Sequence, residues 1–472
     1  MELHEYARYD AVGIRDLIRS GEVTAGEVEA TARRALAQAD AQVNGLALPV
    51  FEPALDHAED GPFAGVPFLI KDHGPVAEGV PFTLGSRALP GIVPGHDTEL
   101  MARFRAAGLV TLGLTTVPEL CLSFATESLR YGTTRNPWNL DRGVGGTSGG
   151  AAALVAAGAV PVAHASDGAG SIRVPASCCG LVGLKPSRGR ITCGPDAGEA
   201  MLGMSYEFAL TRTVRDAAHL LDAVQGPGIG DKYTAPPPRC RYADEVGADP
   251  GRLRVAVTTK PWSGTEVDGR VADAALRVGH ALERAGHHVT EAGPAVDHEA
   301  VMRSLVAECV AIAATLLMVP RQPDPARMEA VSRQALRVAR EYTGLDLLAA
   351  FDAQNRVTRS AGAFFTEHDL LVTPTLARLP APHGTLRYDD PDHTLTSWLE
   401  SLDGYGPFTM LFNVTGQPAI SLPLGHADGL PVGVQIVAPY GREDLLFRIA
   451  AHLEQAMPWK DRTPPVFVGN RS

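Results

Sequence analysis

Three stretches of this 472-residue chain carry side chains whose type and spacing could do chemistry. The first is Gly145-Gly146-Thr147-Ser148-Gly149-Gly150, just ahead of a run of small apolar residues. Taken alone, such a loop is a tight turn or an anion cradle at a helix N-terminus. The second is Asp167-Gly168-Ala169-Gly170-Ser171, at the end of an apolar stretch. Glycines there let consecutive backbone N–H groups point into one space, which is what an oxyanion hole requires. A serine in an ordinary turn is the plainer alternative. The third is Lys71, which ends the apolar run GVPFLIK. Most lysines are surface charges, and alone it supports no other reading. The segment Gly146–Gly150 also satisfies G-x-S-x-G, the nucleophile elbow, but that motif needs a strand immediately before it. Here NPWNLDRGV, a polar loop, precedes it.

The elements that must position these residues follow from periodicity and punctuation. Thr24-Ala-Gly-Glu27 reads as a capping box that opens a helix over 25–38. Residues 62–72 form a short apolar strand, 97–107 a helix stopped by Gly108, and 109–113 a strand. A long loop through 133–150 leads into a small-residue helix (151–158) and a strand (160–166). Farther on, a strand (253–259), a helix (268–285) and a strand (287–292) repeat the rhythm. Strands at 369–375, 418–424 and 431–439 and a helix over 442–457 close the chain. Residues 235–240 and 377–393 are Pro-rich loops. Alternating strands and helices predict an α/β fold with a large, mostly parallel or mixed sheet covered on both faces. No repeat or low-complexity linker divides the chain, so one large domain over 1–472 is expected.

In combination the three stretches resemble the amidase signature family. The strings that carry the resemblance are GVPFLIKD (65–72), TRNPWNL (134–140), GGTSGG (145–150), SDGAGSIRVPASCCGLVGLKPSRG (166–189), ALTRTVRDAAHLLDA (209–223) and FNVTGQPAISLPLGHADGLPVGVQIV (412–437). They cover roughly 60–225 and 405–460, whereas 240–400 matches loosely and is expected to be the variable, substrate-side region. DGAGSIRVPASCCG and FNVTGQPA are most similar to the 6-aminohexanoate cyclic dimer hydrolase branch of the family. The resemblance implies a large mixed sheet of the amidase-signature type and a Ser–cis-Ser–Lys triad, with Ser171 as nucleophile and Lys71 as base. Thr147 occupies the cis-serine's position, 24 residues before Ser171. It keeps the hydroxyl and adds a methyl. Gly168, Ala169 and Gly170, with Ser171, would supply the oxyanion hole, Ala169 standing where the family commonly has glycine. Asp167 and Arg173 resemble the family's buried pair that pins this loop, a surface salt bridge being the alternative. Ser148 is expected to hydrogen-bond in the nucleophile's network, to cap the following helix, or both. By the family's spacing Cys121 to Thr126 lie beside the acyl site, with Cys121 a substrate-pocket wall or a plain core cysteine. Glu308-Cys309 falls on a helix in the loosely matched region, and Glu308 is expected to be solvated.

These roles are physically coherent. A serine hydroxyl is a weak nucleophile that needs a base. Lysine serves as one only when neutral, and burial can lower its pKa of about 10.4 by up to 3–5 units. An apolar strand ending at Lys71 provides such burial. A hydroxyl between lysine and serine would carry the proton inward and later deliver it to the departing amine.

Composition narrows the alternatives. Forty-two Lys+Arg against 54 Asp+Glu give a net charge of −12, which disfavours a grip on nucleic acid or anionic lipid. Gly 49 and Pro 36 fit a loop-rich α/β protein. The N-terminal MELHEYARYD has no apolar core of a secretory signal, and no apolar run reaches the ~18 residues of a membrane helix. The six cysteines form no CxxC pair and the 15 histidines no HxxxH. Buried, reduced thiols in a cytoplasmic protein are expected, with no metal and no cofactor. The expected partner is a small-molecule amide, not nucleic acid or membrane, and a homodimer is an admissible assembly. The rival functions are a glutamine-amidase subunit of a tRNA amidotransferase and a catalytically silent binding protein on the same scaffold.

Overall fold

The computed structural model describes residues 1–319 and 322–470. Its centre is an eight-stranded mixed sheet. Ahead of it lies a two-stranded parallel ladder, β1 (Pro67–Lys71) with β2 (Val110–Thr115). The sheet strands are β3 (Val162–Asp167), β4 (Val182–Lys185), β5 (Tyr206–Thr211), β6 (Arg254–Val257), β7 (His288–Glu291), β8 (Leu370–Pro374), β9 (Ala419–Ala427) and β10 (Leu430–Val437). They lie in the order β7-β6-β8-β10-β9-β4-β5-β3. Only the ladders of β6 with β7 and β8 are parallel; the others are antiparallel. Every residue of β3, β4, β5, β8 and β10 is buried, so both faces of the sheet are covered.

The expected capping box forms. Thr24 Oγ1 accepts from the Glu27 N–H at 3.2 Å, and Glu27 Oε2 accepts from the Thr24 N–H at 2.8 Å. The helix runs over Ala25–Val43, longer than expected, and ends where Asn44 turns left-handed. The strands and helices expected at 109–113, 151–158, 253–292, 369–375 and 418–457 all form, with ends displaced by a few residues. The sequence reading missed β4 and β5, which are short and lie within or beside motifs read for their chemistry. It also missed the helix Arg173–Cys179, which opens inside a glycine-rich motif and contains a proline. The segment before Gly146, read as a loop, holds a short hairpin of Arg135–Asn136 with Asn139–Gly143.

The loosely matched region is mainly helical: His298–Met318, Ala330–Glu341, Gly344–Glu367 and Leu395–Asp403. Against the expectation from sequence, the first of these is long and apolar enough to cross a bilayer by length and composition alone. Its apolar residues pack instead against the helices that follow it, with Val301, Leu305, Ala313 and Leu316 buried.

Helix Leu395–Asp403 fixes the loop 116–126 beside the site. Trp398 is fully buried and its Nε1–H donates to the Leu122 carbonyl at 2.6 Å. Trp398→Phe leaves that buried carbonyl unpaired and is expected to cost at least about 1–3 kcal/mol in urea denaturation. An unchanged unfolding midpoint would show that the loop is held by other contacts.

Candidate active site

The site is assembled at the ends of three elements. β1 ends at Lys71, β3 ends at Asp167, and the helix Gly149–Ala156 begins after Ser148. β1 packs beside β3, so the lysine reaches the turn that follows β3. Gly145 and Gly146 have φ of +72° and +59°. Two successive left-handed residues swing the chain so that Thr147 faces Lys71, a path that side-chain-bearing residues rarely take. The Gly146 carbonyl is held by Thr126 Oγ1 at 2.9 Å, and Thr126 Oγ1 also accepts from the Gly149 N–H at 3.2 Å.

The structure brings Lys71, Thr147 and Ser171 together, all buried. Lys71 Nζ donates to Thr147 Oγ1 at 2.5 Å and to Ser166 Oγ at 2.7 Å. The Thr147 N–H donates to Ser171 Oγ at 3.0 Å. Two implied details are corrected. The cis peptide bonds precede Pro53 and Pro195, so the bonds flanking Thr147 are trans; the paired left-handed glycines make the turn instead. Ser171 Oγ is bonded to the backbone of Thr147 and not to its hydroxyl, which faces the lysine. Burial pushes the Lys71 ammonium below the ordinary lysine value, against the opposing pull of Cys121, Glu207, Asp167 and Asp72.

Of the two parts expected for Ser148, it takes the network one, indirectly through Ser166, and not the side-chain cap. Its Oγ donates to the Ser166 carbonyl at 3.2 Å and accepts from the Ser166 N–H at 3.3 Å. It occupies the N-cap position of the helix Gly149–Ala156 without a side-chain cap bond. It therefore holds Ser166, the second partner of Lys71, and does not touch Ser171. The preceding hairpin lies outside the main sheet and Ser148 is fully buried, neither of which fits an exposed nucleophile at a strand-to-helix elbow.

Residues 168–171 form an open turn. None of their four backbone N–H groups donates a hydrogen bond within the described residues. Gly170 has φ of +147°, which favours glycine, whereas Ala169 is outside the positive-φ region and so is unstrained. The Ala169 carbonyl accepts from Thr409 Oγ1 at 2.7 Å. Asp167 and Arg173, both without exposed surface, form a two-pronged pair at 2.9 and 2.8 Å. The surface-bridge alternative is thereby removed. Arg173 also donates to the Thr409 carbonyl, Gln435 Oε1 and Asn413 Oδ1, at 2.8, 2.7 and 2.5 Å. Asn413 Nδ2 donates to Asp167 Oδ1 at 2.8 Å. Burial would raise the Asp167 pKa, but the Arg173 guanidinium and these hydrogen bonds hold it below its ordinary value.

The turn lines a pocket. Cys121, Leu122, Ser123 and Phe124 line it from the loop 116–126. Leu120 and Cys121 have φ of +52° and +55°. Two left-handed side-chain-bearing residues in succession store strain of about 1–3 kcal/mol each. Burial pushes the Cys121 thiol up to about 11. Leu305, Glu308, Cys309 and Ile312 form the opposite wall, one face of the helix His298–Met318. Glu308 is thus not solvated as expected; at 5% exposure it is buried because its helix face closes the pocket. Cys178, Cys179 and Cys309 are buried, whereas Cys240 is exposed, contrary to expectation. Among the described residues no group of three His, Cys, Asp or Glu side chains converges to hold a metal.

Sequence reasoning missed Ser166, His73, Glu207 and His164. Ser166 accepts from Lys71, and His73 Nδ1 lies 3.5 Å from Ser166 Oγ. Behind them His164 Nε2 meets Glu207 Oε2 at 2.8 Å. Burial lowers His73 to about 4. Ser166 and His73 adjoin motifs already singled out, which was an available signal; Glu207 comes from a strand that was not foreseen.

Residues 27–447 match the family described as amidase. The chain belongs to the amidase signature family. A 6-aminohexanoate-cyclic-dimer hydrolase of Pseudomonas sp. (strain NK87) is 40% identical over 481 residues, covering 98% of this chain and 97% of its own. A putative amidase, AmiC, of Mycobacterium tuberculosis (strain ATCC 25618 / H37Rv) is 39% identical, covering 95% of each chain. A solved structure of 6-aminohexanoate cyclic dimer hydrolase complexed with substrate superposes with a TM-score of 0.90 at 38% identity, over 98% of this chain and 99% of that one. The amidase is an α/β protein and an amide hydrolase, as the sequence reading expected.

The Asp167–Arg173 pair yields a stability prediction. Arg173→Met strands a buried carboxylate and is expected to cost about 3–5 kcal/mol in chemical denaturation. Adding Asp167→Asn to that variant is expected to recover part of the loss. With its folded pKa depressed, the Asp167 contribution is present above the unfolded carboxyl value and is lost as pH falls through the folded one. A double variant as unstable as, or less stable than, Arg173→Met would rule the charge account out.

Proposed function

We propose that the protein hydrolyses small carboxylic amides through an acyl-enzyme on Ser171. The observation that carries this reading is the contiguous set of buried Lys71, Thr147 and Ser171 beside four unengaged backbone N–H groups at a pocket. A neutral lysine amine has two N–H donors and one lone pair. It can donate to Ser166 while accepting from the Thr147 hydroxyl. Ser171, unbranched and free to rotate, turns its O–H toward Thr147 Oγ1 as substrate enters. Its proton passes to Thr147, and the Thr147 proton passes to Lys71. Ser171 Oγ bonds to the amide carbon, and the resulting oxyanion takes hydrogen bonds from the backbone of 168–171. Collapse breaks the C–N bond, with the proton returning through Thr147 to the leaving amine. Water then attacks the ester by the same route, releasing the acid and free Ser171.

The apolar walls and the similarity to 6-aminohexanoate-cyclic-dimer hydrolases favour an aliphatic amide, cyclic or linear. In this reading 1–472 works as one domain in the cytoplasm, with 240–400 supplying the substrate-side wall.

Fluorophosphonate labelling followed by intact mass and peptide mapping tests the nucleophile. One adduct is expected, at Ser171, absent in Ser171→Ala and present in Ser148→Ala. Because the reactive form needs neutral Lys71, the labelling rate is expected to rise with pH through an ionisation below the ordinary lysine value. Lys71→Ala is expected to lose about 10²–10⁴-fold. A flat pH profile with an active Lys71→Ala variant would discard the mechanism.

Thr147 is testable separately. Its hydroxyl has the same donor and acceptor capacity as serine's, and its methyl stiffens χ1. Thr147→Ser is expected to keep or modestly raise turnover on a panel of small amides. Thr147→Val keeps the shape and is expected to lose orders of magnitude with little change in melting temperature. A silent scaffold would show no turnover until Thr147→Ser is made, and an active valine variant would refute the relay.

A further inference from the structure

Glu308 is a carboxyl group that the triad does not use. It lies on the pocket face of the helix His298–Met318 and is 5% exposed. Its side chain abuts Gly168, the first residue of the open turn: a Cβ built on Gly168 would collide with Glu308 Oε1. Only a residue without a side chain lets the carboxyl come this close to the turn. Among the described residues no cation or hydrogen-bond donor reaches it, and the one charged neighbour that acts on it is anionic Asp167. Asp167 is itself fully committed to Arg173 and Asn413. The pocket that Glu308 lines carries apolar Leu305, Ile312, Leu399 and Leu402 beside polar Ser123 and Ser205.

A buried carboxyl without a partner is costly unless a ligand supplies one. Burial and Asp167 both push its pKa well above the ordinary carboxyl value, which favours the protonated form. A protonated carboxyl offers one O–H donor and one carbonyl acceptor side by side. That is the complement of an amide edge, C=O and N–H; a primary or cis amide engages both at once. An ammonium ion would instead require the carboxylate, beside a second buried anion. The oxyanion has four backbone N–H groups within the turn and does not need this group.

We propose that the Glu308 carboxyl receives a second amide group of the substrate, making Glu308 a specificity-determining residue and diamides the substrate class. The inference rests on hydrolysis at Ser171 and names what that site selects.

The test compares adipamide, which has two amides, with hexanamide, which has one. The parent, Glu308→Gln and Glu308→Met are assayed for kcat/KM on both. Binding of both compounds to the same three forms in a Ser171→Ala background is measured by calorimetry, which is independent of turnover. The parent is expected to prefer adipamide about 10–100-fold, as one well-made buried polar contact allows. Glu308→Gln, which keeps a donor beside an acceptor, is expected to retain the preference within about threefold. Glu308→Met is expected to lose at least about tenfold of it. Equal treatment of the two compounds by the parent overturns the proposal. So does a preference that survives in Glu308→Met, or one lost equally in Glu308→Gln, which would point to a carboxylate and a cationic ligand. If no form turns over either amide, the hydrolase reading fails while the binding preference still decides the role of Glu308.

Discussion

The buried ion pair of Asp167 and Arg173 is the constraint around which the site is built. Two charges removed from water must satisfy each other and nearly every remaining hydrogen-bonding position. Here the guanidinium reaches the end of β3, the Thr409 carbonyl, Asn413 on the helix Met410–Thr415, and Gln435 on β10. One side chain therefore ties together segments more than 200 residues apart in sequence. Asp167 also accepts from the N–H groups of Ile172 and Arg173, at 3.2 and 3.4 Å. The turn between them is closed from beneath, so residues 168–171 are held without spending their own N–H groups.

The second constraint is the burial of an amine. Lys71 ends a strand whose five residues are all buried, and among the described residues its amine bonds two hydroxyls. Hydroxyls can donate to or accept from the amine, so they suit its neutral form as well as its charged one. In the proposed reading the same hydroxyls are the path for the proton. Ser148 serves that arrangement at one remove, by fixing the Ser166 backbone.

The pocket divides between two parts of the chain. Lys71, Thr147, Ser171 and the open turn come from 60–225. The opposite wall comes from the helices His298–Met318 and Leu395–Asp403, in the region that resembles the family least. A reaction geometry tolerates little change, whereas a wall can change side chains as long as it still closes the pocket.

Fold class and family were legible from the residues alone, and so was the set of side chains that the structure brings together at the pocket. Lys71, Thr147, Ser171, Asp167 and Arg173 were legible because glycine-rich turns and a lysine after an apolar run are local signals. So were the capping box at Thr24 and most strands of the sheet. The role of Ser148, the trans bonds at Thr147 and the burial of Glu308 were not legible. Each depends on what lies across space: the backbone of β3 for Ser148, two left-handed glycines for Thr147, and a helix face turned toward Gly168 for Glu308. Glu308 is the sharpest case. On its helix it has the spacing of a core residue and the chemistry of a surface one, and periodicity cannot decide between them. Only the tertiary structure did, because solvation belongs to the surroundings of a group and not to its place in the chain.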